Sequence, residues 1–273
     1  MKSLQRLLTY SLLILTFLVS VFPFYWMLVI ASHPTSEANK FPPNFIPGDL
    51  FITNVQTMLD QIDFAGALLN SVFVSTTVTI AQLFFCALAA FAFSRLQFKG
   101  KHFLFVFIIG TLMIPGQLGL VPSYMIMTRL DWINSFNALI VPGLVSAFGI
   151  FWIKQYMDTT LHPELVESAR MDGCSNFQTF WRIALPTISP AMATLAILTF
   201  MYQWNDFLWP SIVLKDSAVH TIQIALRNLN KVYFRDVSVI MAGTFLATIP
   251  LLVVFVASSR YFISGITAGA VKG

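Results

Sequence analysis

ELVESARMDGCSNFQTFWRIALP, residues 164–186, is a compact charged island in a chain that is otherwise mostly apolar. Pro163 suits the first turn of a helix, where its missing N–H has no intrahelical partner anyway. Glu164 and Glu167 follow near the positive end of the helix dipole, where acids are favoured. Helical spacing places Leu161, Leu165, Ser168, Ala169 and Asp172 on one side, and Gly173 ends the run as a left-handed cap. Ser175 and Gln178 form a capping box, each able to satisfy the other's backbone donor. Phe177, Phe180, Trp181 and Ala184 then make an apolar stripe at i, i+3, i+4 and i+7, and Pro186 is expected to stop that helix at the membrane surface. The pattern is helix, glycine hinge, amphipathic helix. It fits either an interfacial loop with its aromatics in lipid headgroups or a knob that docks on a soluble partner.

The surroundings decide where such an island can sit. Of 273 residues, 57% are apolar, 10% are charged and 27 are Phe. Soluble domains run near roughly 45–50% apolar and about 25% charged, so this chain belongs in a bilayer. A net charge of +4 raises nucleic acid as a partner, but the basic residues are scattered singly with no basic stripe, which excludes that class. Cys86 and Cys174 fall in different environments and lack metal-type spacing, so neither a disulfide nor a zinc site is expected.

A membrane helix needs about 20 consecutive apolar residues. Six stretches free of Lys, Arg, Asp and Glu qualify: 7–32, 71–93, 103–128, 133–153, 183–205 and 237–259. The expected fold is an all-α polytopic membrane protein with six transmembrane helices. Its organisation reads as a first span within 1–32, an outer loop 33–69, a core 70–262 and a tail 263–273. Core helices are placed near 71–93, 103–122, 136–156, 187–209 and 237–260, with the island inside a loop 158–186. The first stretch resembles a signal peptide, with Lys2 and Arg6 ahead of it. Its length and its Tyr25–Trp26 belt favour a retained span.

Orientation follows the Lys/Arg bias. With the N-terminus inside, Lys2, Arg6, Arg95, Lys99, Lys101, Lys154, Arg170, Arg182, Arg260 and Lys272 are cytoplasmic, against Lys40, Arg129, Lys215, Arg227, Lys231 and Arg235 outside. The short loop SRLQFKGKH, residues 94–102, is the strongest local signal. Both termini and the island are therefore expected in the cytoplasm.

The chain lacks the G-x-x-x-x-G-K-[ST] phosphate loop; Phe98-Lys-Gly-Lys101 has neither the upstream glycine nor the Ser or Thr. It has no nucleophile elbow, no H-E-x-x-H and no paired carboxylates, and its four histidines are scattered among loops. No cofactor is expected on this chain. Spans without charge fit a neutral solute better than an ion-coupled carrier, which usually keeps an intramembrane ionisable group.

Glu167-Ser-Ala169, three residues, Gly173, nine residues, then Ile183-Ala-Leu185-Pro186 resembles the EAA signature of ABC-importer permease subunits. Ser168 replaces the second small residue. Ala169-Arg-Met-Asp172-Gly173, Phe180-Trp-Arg-Ile-Ala-Leu-Pro186, Leu69-Asn70-Ser71, Gln203-Trp-Asn-Asp-Phe-Leu-Trp-Pro210 and Gly265-Ile-Thr-Ala-Gly-Ala-Val-Lys-Gly273 resemble the maltose-permease-like, binding-protein-dependent branch of the same family. The resemblance implies the type I ABC importer permease fold and a coupling segment seated in a cleft of an ATPase. Its residues would be Glu164, Glu167, Ala169, Asp172, Gly173, Ile183, Leu185 and Pro186. Glu167 would pair with a basic group, Ala169 would permit close packing and Gly173 the turn. It also implies a related second permease, two ATPase subunits holding ATP-Mg, an outer solute-binding protein and a sugar, a di- or oligosaccharide, as cargo.

Aromatic faces stack on sugar rings while amides and carboxylates take hydroxyls. Trp204, Asn205, Asp206 and Trp209 supply both kinds at the outer end of span five, with Asn137 and Ser146 as weaker candidates. An interfacial aromatic belt is the competing explanation. A self-sufficient channel or secondary carrier, and a membrane-anchored structural partner, are the alternatives at the level of function.

Overall fold

The computed structural model describes residues 2–38, 40–230 and 236–270, with side chains described for 5–38, 40–230 and 236–258. Lys231, Arg235 and Lys272 of the charge count, and the last three residues of the tail motif, lie outside the described residues. Every long element is helical. In chain order these are α1 (Lys2–Ala31), α2 (Phe51–Gln61), α3 (Phe64–Arg95), α4 (Lys101–Thr111), α5 (Leu120–Arg129), α6 (Asn137–Ile140), α7 (Ala147–Thr160) and α8 (Pro163–Met171). There follow α9 (Asn176–Thr179), α10 (Leu185–Thr187), α11 (Ser189–Asn205), α12 (Leu208–Val213), α13 (Ile222–Asn228) and α14 (Val237–Ala270).

Four helices cross by length and composition: Gln5–Ala31, Phe64–Arg95, Asn137–Thr160 and Val237–Ser258. Two bent pairs, Lys101–Thr111 with Gly116–Arg129 at 92° and Asn176–Thr187 with Ser189–Asn205 at 78°, have the composition of broken spans or re-entrant loops and bring the described residues to up to six crossings.

The breaks correct the straight helices expected from the sequence. Span three, expected as one helix near 103–122, breaks around Pro115, which lacks a backbone donor and disfavours helix at Ile114 before it. Span four does not run unbroken over 136–156. Val145 and Ser146 are extended, and Ser146 Oγ restarts α7 by accepting from Gly149 N at 3.1 Å. Span five starts at Ser189, because the chain turns at Ile188 after a π-helical turn over Phe180–Ala184. Pro186 is not the stop: it sits in the first turn of α10, where its missing N–H is harmless, and the helix runs on to Thr187. α3 begins at Phe64 and, at 32 residues, is about 48 Å long, so its ends project beyond a hydrocarbon core about 30 Å thick. α14 likewise carries the expected tail as helix through Ala270.

One compact unit comprises 1–67 and 224–250. Within it α1 leaves most of its apolar side chains exposed, as a lipid-facing helix should. Asn54 Nδ2 donates to Ala31 O at 2.8 Å and ties α2 to the end of α1. Phe51 meets Phe245 edge-on at 5.9 Å.

The other unit comprises 68–223 and 251–273. Its core joins α3, α7, α8, the π turn and α11 through Cys86, Ala90, Phe91, Ile153, Met157, Leu161, Val166, Phe180 and Leu195, all buried. Small residues set the spacing, as is usual between membrane helices. A Cβ added at Gly149 would stand 2.9 Å from Cys86 Sγ and 3.2 Å from Leu195 Cδ2.

Candidate coupling segment and solute cavity

The island folds much as its sequence directs. Pro163 opens α8 and Glu164 lies in its first turn. Gly173 is left-handed at φ +81°, and Cys174 N reaches back to Ala169 O at 2.9 Å. The capping box is present, with Ser175 N to Gln178 Oε1 at 2.8 Å and Gln178 N to Ser175 Oγ at 3.3 Å.

The faces differ from the expected ones. The inward residues are Leu161, Val166 and Ala169, whereas Leu165, Ser168 and Asp172 are exposed. Ala169, 3% exposed, packs inside its own chain and so offers no surface for close packing by a partner. The aromatic stripe is split as well. Phe180 and Ala184 are fully buried, and Phe180 lies 5.7 Å from Phe91. Phe177 and Trp181 stay exposed and stack at 6.4 Å. Ile183 and Leu185 pack against the core, and Pro186 is exposed. The outward residues include Glu164, Leu165, Glu167, Arg170, Met171, Asp172 and Gly173, then Phe177 and Trp181.

A cavity of about 800 Å³ lies elsewhere in the same unit. Its polar lining comes from Gln82 on α3, Ser146 at the start of α7, Thr199, Tyr202 and Gln203 on α11, and Asp206 and Trp209 just beyond. Leu139, Pro142, Val145, Phe148 and Leu195 are among the apolar walls. Among the described residues no Lys, Arg or His lines it, and Asp206 is its one ionisable carboxylate. Gln82 Nε2 donates to Thr199 Oγ1 at 3.0 Å, and Trp209 Nε1 to Ala138 O at 2.9 Å. The Trp209 ring is thereby fixed in orientation at the cavity wall.

Of the sequence candidates, Asp206, Trp209 and Ser146 meet at this cavity. Trp204 does not: it is 1% exposed and stacked on Phe200 at 5.6 Å. Asn205 is exposed and bonds Met201 O of its own helix, and Asn137 is exposed with its N–H on Ser135 Oγ. Gln82, Thr199, Tyr202 and Gln203 were missed. Thr199, Tyr202, Gln203 and Asp206 stand at i, i+3, i+4 and i+7, a polar stripe in an apolar helix that period counting would reveal.

A multi-pass bundle with broken spans, a charged helical segment with an exposed outer face and a mainly apolar cavity carrying a polar stripe is the architecture of a membrane permease. A family model described as "Binding-protein-dependent transport system inner membrane component" matches residues 82–267. The arabinooligosaccharides transport system permease protein AraQ of Halalkalibacterium halodurans is 32% identical over 99% of this chain and 97% of its own. The lactose transport system permease protein LacG of Rhizobium radiobacter is 31% identical over 99% and 98%. A crystal structure of a bacterial ABC transporter involved in the import of the acidic polysaccharide alginate superposes with a TM-score of 0.81 at 20% identity, over 95% of this chain and 97% of that one.

The chain belongs to the family of inner membrane components of binding-protein-dependent transport systems. It is a multi-pass permease subunit of an ABC importer, with ATP hydrolysis on a separate subunit. A self-sufficient channel or carrier finds no support in this membership.

Proposed function

We propose that this chain forms half of the path by which an ATP-driven importer carries a neutral di- or oligosaccharide inward. The observation that carries this reading is the cavity: two amides, two hydroxyls of Ser and Thr, a phenol, an indole and the Asp206 carboxylate around a space of about 800 Å³, without a cation among the described residues. Sugar hydroxyls exchange hydrogen bonds with amides and hydroxyls, and aromatic faces cover their C–H surfaces. An acidic polysaccharide or a phosphorylated solute would call for Arg or Lys, the usual partners of carboxylate and phosphate. Two relatives named for arabinooligosaccharides and for lactose accord with a neutral cargo.

The remaining assembly follows the family pattern in this proposal. A second, related permease completes the wall, two ATPase subunits hold ATP-Mg, and a solute-binding protein delivers sugar from outside. Both termini and the 158–186 loop face the cytoplasm. Glu164, Glu167, Asp172 and Gly173, with exposed Met171, enter the ATPase cleft, while Ala169, Ile183 and Leu185 root the segment in the membrane domain.

The test is binding-protein-stimulated ATPase activity of the reconstituted complex across a panel of neutral and acidic saccharides. Stimulation by neutral sugars, weakened by Gln203→Ala, is expected. Stimulation by acidic sugars alone would overturn the reading.

A further inference from the structure

Arg95 ends α3 where the charged segment leaves α7. Its Nη2 donates to the main-chain oxygens of Met157, at 3.0 Å, and of Leu161. Its Nη1 donates to Ser94 Oγ at 2.8 Å and stands 3.5 Å from Asp158 Oδ1. Only 10% of the side chain is exposed. The C-terminal end of a helix carries the negative end of its dipole. The Met157 carbonyl there already accepts from Leu161 N at 3.0 Å, so Arg95 adds a second donor to it and supplies one to the Leu161 carbonyl just past the last helical residue. One planar guanidinium therefore caps α7 and holds its final turn to the end of α3.

The chain has only Leu161 and His162 between α7 and Pro163, the first residue of α8. Leu161 is fully buried, and Val166 of α8 shares one buried cluster with Phe91 and Phe93 of α3. The segment thus has a polar root and an apolar root, and α3 supplies both. Asp158 has a second cation in Lys154, 2.6 Å away, so its charge does not depend on Arg95. The distinctive contribution of Arg95 is the carbonyl clamp.

We infer that Arg95 is a positioning residue for coupling: it fixes the start of the 163–186 segment to α3. Displacement of that segment then moves the helix that carries Gln82 into the cavity, instead of being absorbed by flexing at Leu161–His162. This rests on the coupling role proposed above.

The test uses the whole complex in liposomes and measures ATP hydrolysed per sugar imported. Coupling between linked sites commonly amounts to roughly 5–150-fold, so Arg95→Gln is expected to raise that ratio by at least about fivefold at normal ATPase co-purification. Arg95→Lys should fall between, because an ammonium lacks the fork that spans two carbonyls. Asp158→Asn should stay near the wild-type ratio, since the carbonyl clamp persists. Spin labels at Gln97 and at exposed Asn176 should hold a narrow distance distribution on nucleotide binding and broaden in Arg95→Gln. If Arg95→Gln fails to assemble, the Arg95→Lys ratio and label distances decide. A reduced yield with an unchanged ratio and unchanged label distances would make Arg95 a folding element only and overturn the inference. If Gly173→Val impairs transport while Arg95→Gln and Arg95→Lys keep the wild-type ratio, this inference fails alone; if Gly173→Val is also silent, the coupling reading fails with it.

Discussion

Gln82 and Thr199, both buried, meet through a 3.0 Å hydrogen bond from the amide of α3 to the hydroxyl of α11, at the wall of the cavity. A buried amide deprived of its acceptor costs about 1–3 kcal/mol in water-soluble proteins, and interhelical bonds in membranes average roughly 0.6. Thr199→Val should therefore destabilise the purified complex by about 1 kcal/mol, read as a lower midpoint of thermal unfolding. The double variant Gln82→Leu with Thr199→Val should recover most of that loss yet still take up sugar poorly. Normal uptake by the double variant would remove these two groups from the path.

The tryptophan beside this wall behaves differently from the expectation drawn from its neighbours. Trp204 is a core residue, so Trp204→Ala should cost about 3–5 kcal/mol and reduce assembled complex in membranes. Gln203→Ala and Asp206→Asn touch the cavity instead. They should leave assembly intact and impair uptake, measured with radiolabelled sugar in reconstituted vesicles. Equal uptake by wild type and both cavity variants would return this end of span five to a simple aromatic belt.

Packing at the three-helix contact gives an independent check on the fold. Gly149 faces Cys86 and Leu195 at distances that leave no room for a side chain. Gly149→Val overpacks this contact, and such insertions cost about 1–3 kcal/mol. Less complex should survive detergent extraction, whereas Gly110→Val, which has open space around it, should be extracted like the wild type.

Six uncharged stretches were enough to read the spans, because hydrocarbon tolerates charge so poorly that its absence marks a crossing. The breaks were harder. Pro115 and Pro186 are both helix-breaking types, yet one follows the end of a helix and the other rides in a first turn, a difference decided by whether a helical partner would be waiting for the N–H that proline lacks. Gly173 and the Ser175–Gln178 box were legible because capping is local chemistry. The inward face of α8 was not, since Leu165 and Val166 are equally apolar and only the position of α3 selects Val166. The Asn70-Ser71 pair shows its purpose only in three dimensions. Asn70 Nδ2 donates to Ala218 O and His220 O, each at 3.0 Å, and Ser71 Oγ accepts from Ile222 N at 2.8 Å. Those partners lie some 150 residues away in sequence, beyond the reach of any local pattern.

Orientation has a direct chemical readout in the two cysteines, both free. Cys174 is half-buried in the charged segment and Cys86 is fully buried in α3. A membrane-impermeant thiol reagent should label Cys174 only after the cytoplasmic face is opened, and should leave Cys86 untouched throughout. Labelling of Cys174 in intact cells would invert the topology read from SRLQFKGKH.

The coupling segment separates two kinds of damage, to its backbone and to its charge. Gly173 holds φ +81°, and an added Cβ there meets nothing within 4 Å. The cost of a side chain is therefore conformational, on the order of 1 kcal/mol, and greater for a β-branched residue. The chain relieves it most readily by abandoning the left-handed turn, which swings the Ser175 cap and exposed Phe177 away from α8. Glu167 is exposed, and an ion pair at a partly wet interface is worth about 0–1 kcal/mol and is weakened by salt. Gly173→Val should thus abolish ATPase co-purification or transport. Glu167→Ala should weaken co-purification by less, and raised salt should reproduce its effect on the wild type. Neither change touches a span, so both variants should still insert fully. Unchanged sugar uptake and ATPase co-purification in Gly173→Val would leave the island an interfacial loop, with Phe177 and Trp181 resting among lipid headgroups.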